Sequence, residues 1–146
     1  MSASLSIKNI LVVEDNQGDV DLLKAAFEEL GHHFNLHIEQ DGEAAIKYIK
    51  QIAGDNNGVF PDLIFLDINI PRYNGHEVLA TIRGLDELKS VPVLIYTSST
   101  KPSDVDTSYE TGATAHIQKS LDFEDTVKTI RKILNVYGKI YDKADK

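Results

Sequence analysis

The pattern of hydrophobic and polar residues divides this chain into five short runs typical of strands, each followed by a segment with helical periodicity. The runs cover residues 9–13, 34–39, 62–66, 93–96 and 115–118. The run at 34–39 alternates apolar and polar residues, which predicts an edge strand. The β-branched run at 9–13 and the run at 62–66 predict strands that are buried on both faces.

The segments that follow the strands place apolar residues three and four positions apart, as amphipathic helices do. Gly31 and Gly112 are suited to end the first and fourth helices, and Asp122 is suited to cap the fifth. The fourth helix has the thinnest apolar stripe, so we expect it to be the least firmly packed. In chain order, the stripes are Leu23, Ala26, Phe27 and Leu30; Ala45, Ile49 and Ile52; Val78, Leu79, Ile82 and Leu85; Val105 and Tyr109; and Phe123, Val127, Ile130, Leu134 and Tyr137.

Regular alternation of strands and helices predicts an α/β fold with a parallel sheet covered by helices on both faces. The specific hypothesis is a flavodoxin-like (βα)5 doubly wound sheet with the strand order 2-1-3-4-5. In such sheets the functional crevice lies at the carboxyl ends of the strands, near the point where the strand order reverses.

Composition narrows the functional classes. The chain has 146 residues and is predicted to be one domain over 1–146, with a core at about 7–137 and a tail at 138–146. Its formal net charge of −8 argues against nucleic acid as a partner, because such binding needs Lys and Arg to neutralise phosphates. It has no cysteine, no apolar run long enough to span a membrane and no signal-peptide pattern, so we expect a cytoplasmic protein.

Side chains suited to chemistry stand at the carboxyl ends of four predicted strands. Glu14 and Asp15 follow the first strand, Asp67 the third, Thr97 the fourth and Lys119 the fifth. In the order 2-1-3-4-5 the first and third strands are neighbours, so three carboxylates would share one pocket. Oxygen ligands without His or Cys suit Mg²⁺. A Mg²⁺ ion, a lysine and a hydroxyl around one carboxylate are what phosphoryl transfer to Asp67 would need.

Simpler interpretations exist for each of these residues: a capping acid, a solvated lysine, or a buried hydroxyl bonded to the backbone. The loop after the third strand favours chemistry, because Pro71 and Gly75 follow Asp67 and break the chain into a defined turn.

Four motifs at the strand ends resemble the receiver domain of two-component response regulators, over residues 7–137. The resemblance implies that Glu14, Asp15 and Asp67 bind Mg²⁺, together with the backbone carbonyl of Asn69. It also implies that a sensor histidine kinase donates a phosphoryl group to Asp67. The chain would then be no enzyme but a phosphoryl acceptor that assists its own phosphorylation and dephosphorylation. The motifs are Val-Val-Glu14-Asp15-Asn16, Leu-Asp67-x-x-x-Pro71-x-x-x-Gly75, Tyr-Thr97-Ser and Gln-Lys119.

A narrower similarity concerns the segments 15–23, 67–72 and 97–99. They look like those of single-domain regulators that partner bacterial phytochrome-type histidine kinases. Asn69 and Ser99, each two positions after a motif residue, occupy family positions that tune hydrolysis of the acyl phosphate.

Two residues depart from the family pattern. His116 stands where the family usually has Tyr or Phe, a ring that moves when the residue at the position of Thr97 turns toward the phosphate. It is either part of the switch with Thr97, with a pH dependence of its own, or a half-exposed surface histidine. Ser120 stands where the family usually has proline, so we expect a trans peptide bond before it.

The resulting hypothesis is a stand-alone receiver domain whose output is a protein contact around the fourth helix, fifth strand and fifth helix. The partner would be a downstream target, a phosphotransfer protein or a second copy of the chain. Two alternatives stay open, namely a receiver-like interaction module that is not phosphorylated and a flavodoxin-like cofactor binder. Glu14 and Asp15 count against the second because they would repel the phosphate of FMN.

Overall fold

The structure is a computed structural model that describes residues 7–31, 33–55 and 58–138. Its centre is a five-stranded parallel sheet in the order β2-β1-β3-β4-β5, which confirms the predicted topology. Strand β2 lies at an edge, as its alternating pattern predicts. The strands are β1 (Asn9–Val13), β2 (Asn35–Glu39), β3 (Leu63–Leu66), β4 (Val93–Thr97) and β5 (Ala115–Gln118).

Helices cover both faces of this sheet, and each face has its own hydrophobic core. One core joins α1 and α5 to the sheet around Phe27, Phe65 and Ile130, and the other joins α2 and α3 to the opposite face around Ile49 and Leu79. The helices are α1 (Gln17–Glu29), α2 (Gly42–Ala53), α3 (Gly75–Arg83), α4 (Pro102–Thr111) and α5 (Phe123–Tyr137).

Of the five α-helices in the described residues, four begin at a side chain that accepts a hydrogen bond from a backbone N–H of the first turn. These caps are Asn16, Asp41, Asn74 and Asp122. They satisfy N–H groups that have no partner within the helix. Helix α4 has no side-chain cap and begins at Pro102, whose fixed φ and missing N–H suit the first helical position.

The register of the sheet brings the ends of β1, β3 and β4 to one edge. Val13 pairs with Leu66, and the backbone N–H of Asp67 donates to the carbonyl of Val13 at 3.1 Å. On the other side, the N–H of Lys119 donates to the carbonyl of Thr97 at 2.8 Å. The residues that follow these strands therefore meet across two neighbouring strand pairs.

Several predicted details need correction. The predicted apolar stripe of α4 is wrong at Tyr109, which is 51% exposed. The buried residue of this helix is Ser108. The predicted stripe of α5 is also wrong at Phe123, which is 37% exposed at the first position of the helix, before its buried residues begin at Thr126. Leu85 lies beyond the end of α3, just before a short 3₁₀ turn at Asp86–Leu88 that the pattern does not predict.

The boundaries of the five strands agree with those predicted from the sequence to within one residue. The backbone contains no cis peptide bond in the described residues, in line with the expectation for Ser120. Gly138, the last described residue, lies against Ile7, and the rest of the predicted tail falls outside the described residues. Within the described ranges, none of the helices has the length and apolar character of a transmembrane segment.

Candidate functional site

The ammonium group of Lys119 lies at the centre of the site and contacts three carboxylates. Its Nζ atom is 2.7 Å from Oε1 of Glu14, 2.7 Å from Oδ2 of Asp19 and 2.8 Å from Oδ2 of Asp67. Only 9% of the lysine side chain is exposed. One side chain from the end of β5 is therefore tied to groups that follow β1, begin α1 and follow β3.

Asp67 is buried and both of its carboxylate oxygens are engaged. Oδ2 accepts from Lys119, and Oδ1 accepts from the backbone N–H of Asn69 at 3.0 Å. The loop that carries these groups is closed by the N–H of Gly75, which donates to the carbonyl of Ile68 at 3.1 Å. The carboxylate is thus held at a defined position instead of rotating freely in solvent.

Glu14, Asp15 and Asp67 form a cluster in which one oxygen of each carboxylate lies within 4.8 Å of the others. Glu14 and Asp67 are buried, while Asp15 is exposed. A set of hard oxygen donors that includes one open, solvent-facing member fits Mg²⁺, which retains several waters when it binds to proteins. The residues present therefore fit this ion.

Burial and crowding of negative charge shape the protonation of this cluster. Burial raises the pKa of Glu14 from 4.5 to about 7; the nearby charge of Asp67 adds to the effect, and the contacts with Lys119 oppose it. For Lys119, burial alone would lower the pKa. The hydrogen bonds to Asp19, Asp67 and Glu14 outweigh this effect and raise it. The carboxylates of the site therefore carry more negative charge than the single ammonium group of Lys119 neutralises.

Thr97 is fully buried at the end of β4. Its Oγ1 accepts a 3.4 Å hydrogen bond from the backbone N–H of Ser99, so the hydroxyl is bonded to the backbone in this state. The hydroxyl of Ser99 in turn donates to Oδ2 of Asp104 at 2.6 Å. These bonds link the end of β4 to the first turn of α4.

His116 is partly buried and points both ring nitrogens at the neighbouring elements. Its Nε2 is 3.0 Å from the carbonyl oxygen of Ser99 and its Nδ1 is 3.1 Å from Oγ of Ser108. Because a carbonyl can only accept, Nε2 carries the proton and donates. Nε2 of His76, on α3, lies 3.0 Å from the same Ser108 oxygen. Three elements, α3, α4 and β5, thus meet at one buried hydroxyl.

Asp19, His76 and Ser108 were not among the residues predicted for the site. Asp19 stands in the first turn of α1, where an acid is also expected as a partner of the helix dipole, so its position alone gives no further signal. Ser108 and His76 are brought together only by the packing of α3 against α4.

The chain matches the family described as "Response regulator receiver domain" over residues 10–131. The chain belongs to the response regulator receiver domain family.

Among curated proteins, this receiver domain is 36% identical over 126 residues to "Response regulator Rcp1" of Synechocystis sp. (strain ATCC 27184 / PCC 6803 / Kazusa), with 86% of each chain covered. It is 35% identical over 124 residues to "Probable methanogenesis regulatory protein FilR2" of Methanothrix harundinacea (strain 6Ac), covering 85% of this chain and 79% of that protein.

Two solved structures with a similar fold are also response regulators. The phosphorylated cyanobacterial phytochrome response regulator RcpA superposes on the receiver domain with a TM-score of 0.81 at 31% identity, covering 90% of this chain and 94% of that one. The Mn²⁺-bound form of Rcp1 superposes with a TM-score of 0.77 at 35% identity, covering 88% and 92%.

Proposed function

We propose that this chain is a stand-alone receiver domain that accepts a phosphoryl group on Asp67 from a sensor histidine kinase, in a reaction that requires Mg²⁺. The observation that carries the proposal is the environment of Asp67. It is a buried carboxylate that accepts from Lys119 and shares a cluster of oxygen ligands with Glu14 and Asp15. Such a carboxylate has a nearby cation for phosphoryl oxygens and a place for a metal beside it.

In the proposed reaction one oxygen of Asp67 attacks the phosphorus atom. A new oxygen–phosphorus bond forms as the bond between phosphorus and the donor's nitrogen breaks, and the leaving imidazole keeps that electron pair and takes up a proton. The product is an acyl phosphate on Asp67. Bound Mg²⁺ supplies positive charge for the phosphoryl oxygens, and the residues that would hold it are Glu14, Asp15, Asp67 and the backbone carbonyl of Asn69.

The other groups of the site act on the phosphoryl group after it arrives. Lys119 donates to a phosphoryl oxygen, and the hydroxyl of Thr97 exchanges its bond with Ser99 for a second such contact. A movement of Thr97 alters the β4–α4 segment, to which His116 is bonded through the Ser99 carbonyl. The proposed output is therefore a change in the surface formed by α4, β5 and α5.

Receiver domains are signalling modules, and we propose that this one acts in the cytoplasm. RcpA is named as a phytochrome response regulator, which favours a phytochrome-type kinase as the phosphodonor. The phosphorylated surface would bind a downstream protein, a phosphotransfer protein or a second copy of this chain. Membership of the receiver family leaves the alternative of a flavodoxin-like cofactor binder without support.

The test is incubation of the protein with Mg²⁺ and acetyl phosphate, followed by measurement of the intact mass. We expect the mass of one added phosphoryl group on the wild type and none on Asp67→Ala. Asp86→Ala is the matched control because Asp86 is an exposed acid in a surface ion pair, and it should be phosphorylated like the wild type. Absence of the adduct on the wild type would favour an interaction module that is not phosphorylated.

A further inference from the structure

The lysine at the centre of the site has no free hydrogen-bond donor. An ammonium group has three N–H bonds, and those of Lys119 are matched by the three carboxylates of Glu14, Asp19 and Asp67. Under the proposed function this lysine has to donate to a phosphoryl oxygen. At least one of the three contacts must therefore break or be shared before the phosphoryl group can be bound.

The three contacts differ in how much it costs to break them. The side chains of Glu14 and Asp67 are 3% and 6% exposed, so loss of the lysine before phosphoryl transfer would leave a buried carboxylate without its partner. The side chain of Asp19 is 21% exposed, so water can replace the lysine there. The contact between Lys119 and Asp19 is therefore the one that costs least to break.

Asp19 also lies outside the cluster that fits a metal ion. Its place is set by the start of α1, where its backbone N–H donates to Oδ1 of Asn16 at 2.9 Å. A carboxylate in the first turn is favoured by the helix dipole whether or not it binds Lys119. Asp19 can thus hold or release the lysine without moving the helix.

We propose that Asp19 is a positioning residue that holds the third donor of Lys119 in the unphosphorylated protein and releases it when a phosphoryl group arrives on Asp67. This inference rests on the proposed function. In consequence, Asp19 competes with the phosphoryl group for Lys119. The ion pair between Asp19 and Lys119 therefore slows phosphorylation of Asp67.

The test compares rates of acyl-phosphate formation from acetyl phosphate at saturating Mg²⁺, so that a change in metal affinity does not enter. Asp19→Asn keeps the size of the side chain but replaces its charge by an amide oxygen, a weaker acceptor. The lysine is then released more readily. We expect Asp19→Asn to be phosphorylated faster than the wild type by roughly two- to fivefold, the range for a partly exposed ion pair.

Two further variants separate this role from general effects of charge and of helix structure. Asp21→Asn removes the same charge two residues along α1, where the side chain contacts Gln17 and not Lys119. It should react at the rate of the wild type. Asp19→Glu restores a carboxylate within reach of the lysine and should bring the rate back toward that of the wild type.

The outcomes distinguish this inference from the proposed function. A wild-type protein that forms no acyl phosphate overturns both. If the wild type is phosphorylated but Asp19→Asn is not faster, or Asp21→Asn is accelerated to the same extent, or Asp19→Glu fails to restore the rate, the role of Asp19 is overturned and the proposed function stands.

Discussion

Gly75 allows the loop after Asp67 to close against the start of α3, and its replacement by alanine is the most direct test of this packing. A methyl group at Gly75 would lie 2.5 Å from Cα of Ile68 and 2.9 Å from the carbonyl carbon of Asp67, and it would also meet the carbonyl oxygen of Asp67. Real Cβ atoms essentially never come within 3.0 Å of such neighbours. All of these neighbours are backbone atoms, so no side chain can turn away to relieve the contact.

The backbone would have to move by about 0.5 Å or more to bring the contact with Ile68 to 3.0 Å. Overpacking of this kind costs about 3 kcal/mol at the upper end of its range. Alanine recovers about 0.4–1 kcal/mol by restricting the unfolded chain. We therefore expect Gly75→Ala to lower the free energy of unfolding by about 2 kcal/mol. The shift also displaces Asp67, and acyl-phosphate formation should slow by about 10- to 100-fold.

Gly84 provides a matched control at the other end of the same helix. It has φ −81°, and a methyl group there would meet its nearest atom at 3.4 Å, an ordinary contact. Gly84→Ala should therefore leave the stability unchanged or raise it by up to about 1 kcal/mol. Urea unfolding followed by circular dichroism measures both variants. Equal stability of the two, or wild-type phosphorylation of Gly75→Ala, would show that the close approach at Gly75 does not hold the loop.

Of three other predictions, two concern the protonation of Glu14 and one concerns the packing of Arg83. Because the pKa of Glu14 is raised to about 7, Mg²⁺ affinity measured by calorimetry should fall by about 15-fold in total as pH is lowered from 7 to 5.5; a constant affinity contradicts this. Without Mg²⁺, the folded state binds this proton more tightly than the unfolded state, so the stability that Glu14 contributes at low pH is lost as pH rises through about 7. Arg83→Met should lower the free energy of unfolding, measured in urea, by about 2–3 kcal/mol, because it removes the side-chain donor to the carbonyls of Gly112, Leu88 and Val91. Of these, the carbonyl of Leu88 keeps one other donor, the backbone N–H of Val91. Unchanged stability would refute that role.

The sheet and the acidic cluster could be predicted because each depends on a local pattern. Apolar runs such as residues 9–13 mark buried strands, and an acid directly after a run falls at the carboxyl edge of a parallel sheet. Glu14 and Asp67 follow strands that are neighbours in the order 2-1-3-4-5, so their proximity follows from topology alone. No detail of side-chain conformation is needed for that step.

The contacts of Asp19 and Ser108 could not be predicted in the same way. Lys119 has a long, flexible side chain, and its choice of a third carboxylate 100 residues away depends on where α1 begins relative to β5. In α4, apolar spacing selected Tyr109 over Ser108, yet successive helical residues point about 100° apart, and it is the hydroxyl that faces inward. Its partner His76 lies on a different helix, 32 residues earlier.

The attachment of α4 through a buried hydroxyl has a thermal consequence. The positive heat capacity of unfolding comes from apolar surface, and the sensitivity to urea grows with the surface that unfolding exposes. Helix α5 buries four apolar side chains and loses part of their contribution on cooling, whereas the buried residue of α4 is a serine held by hydrogen bonds. The free energy of local opening of α4, measured by amide hydrogen exchange, should therefore show little curvature with temperature and depend only weakly on denaturant. The attachment of α4 would therefore lack the loss of hydrophobic stabilisation on cooling that α5 undergoes.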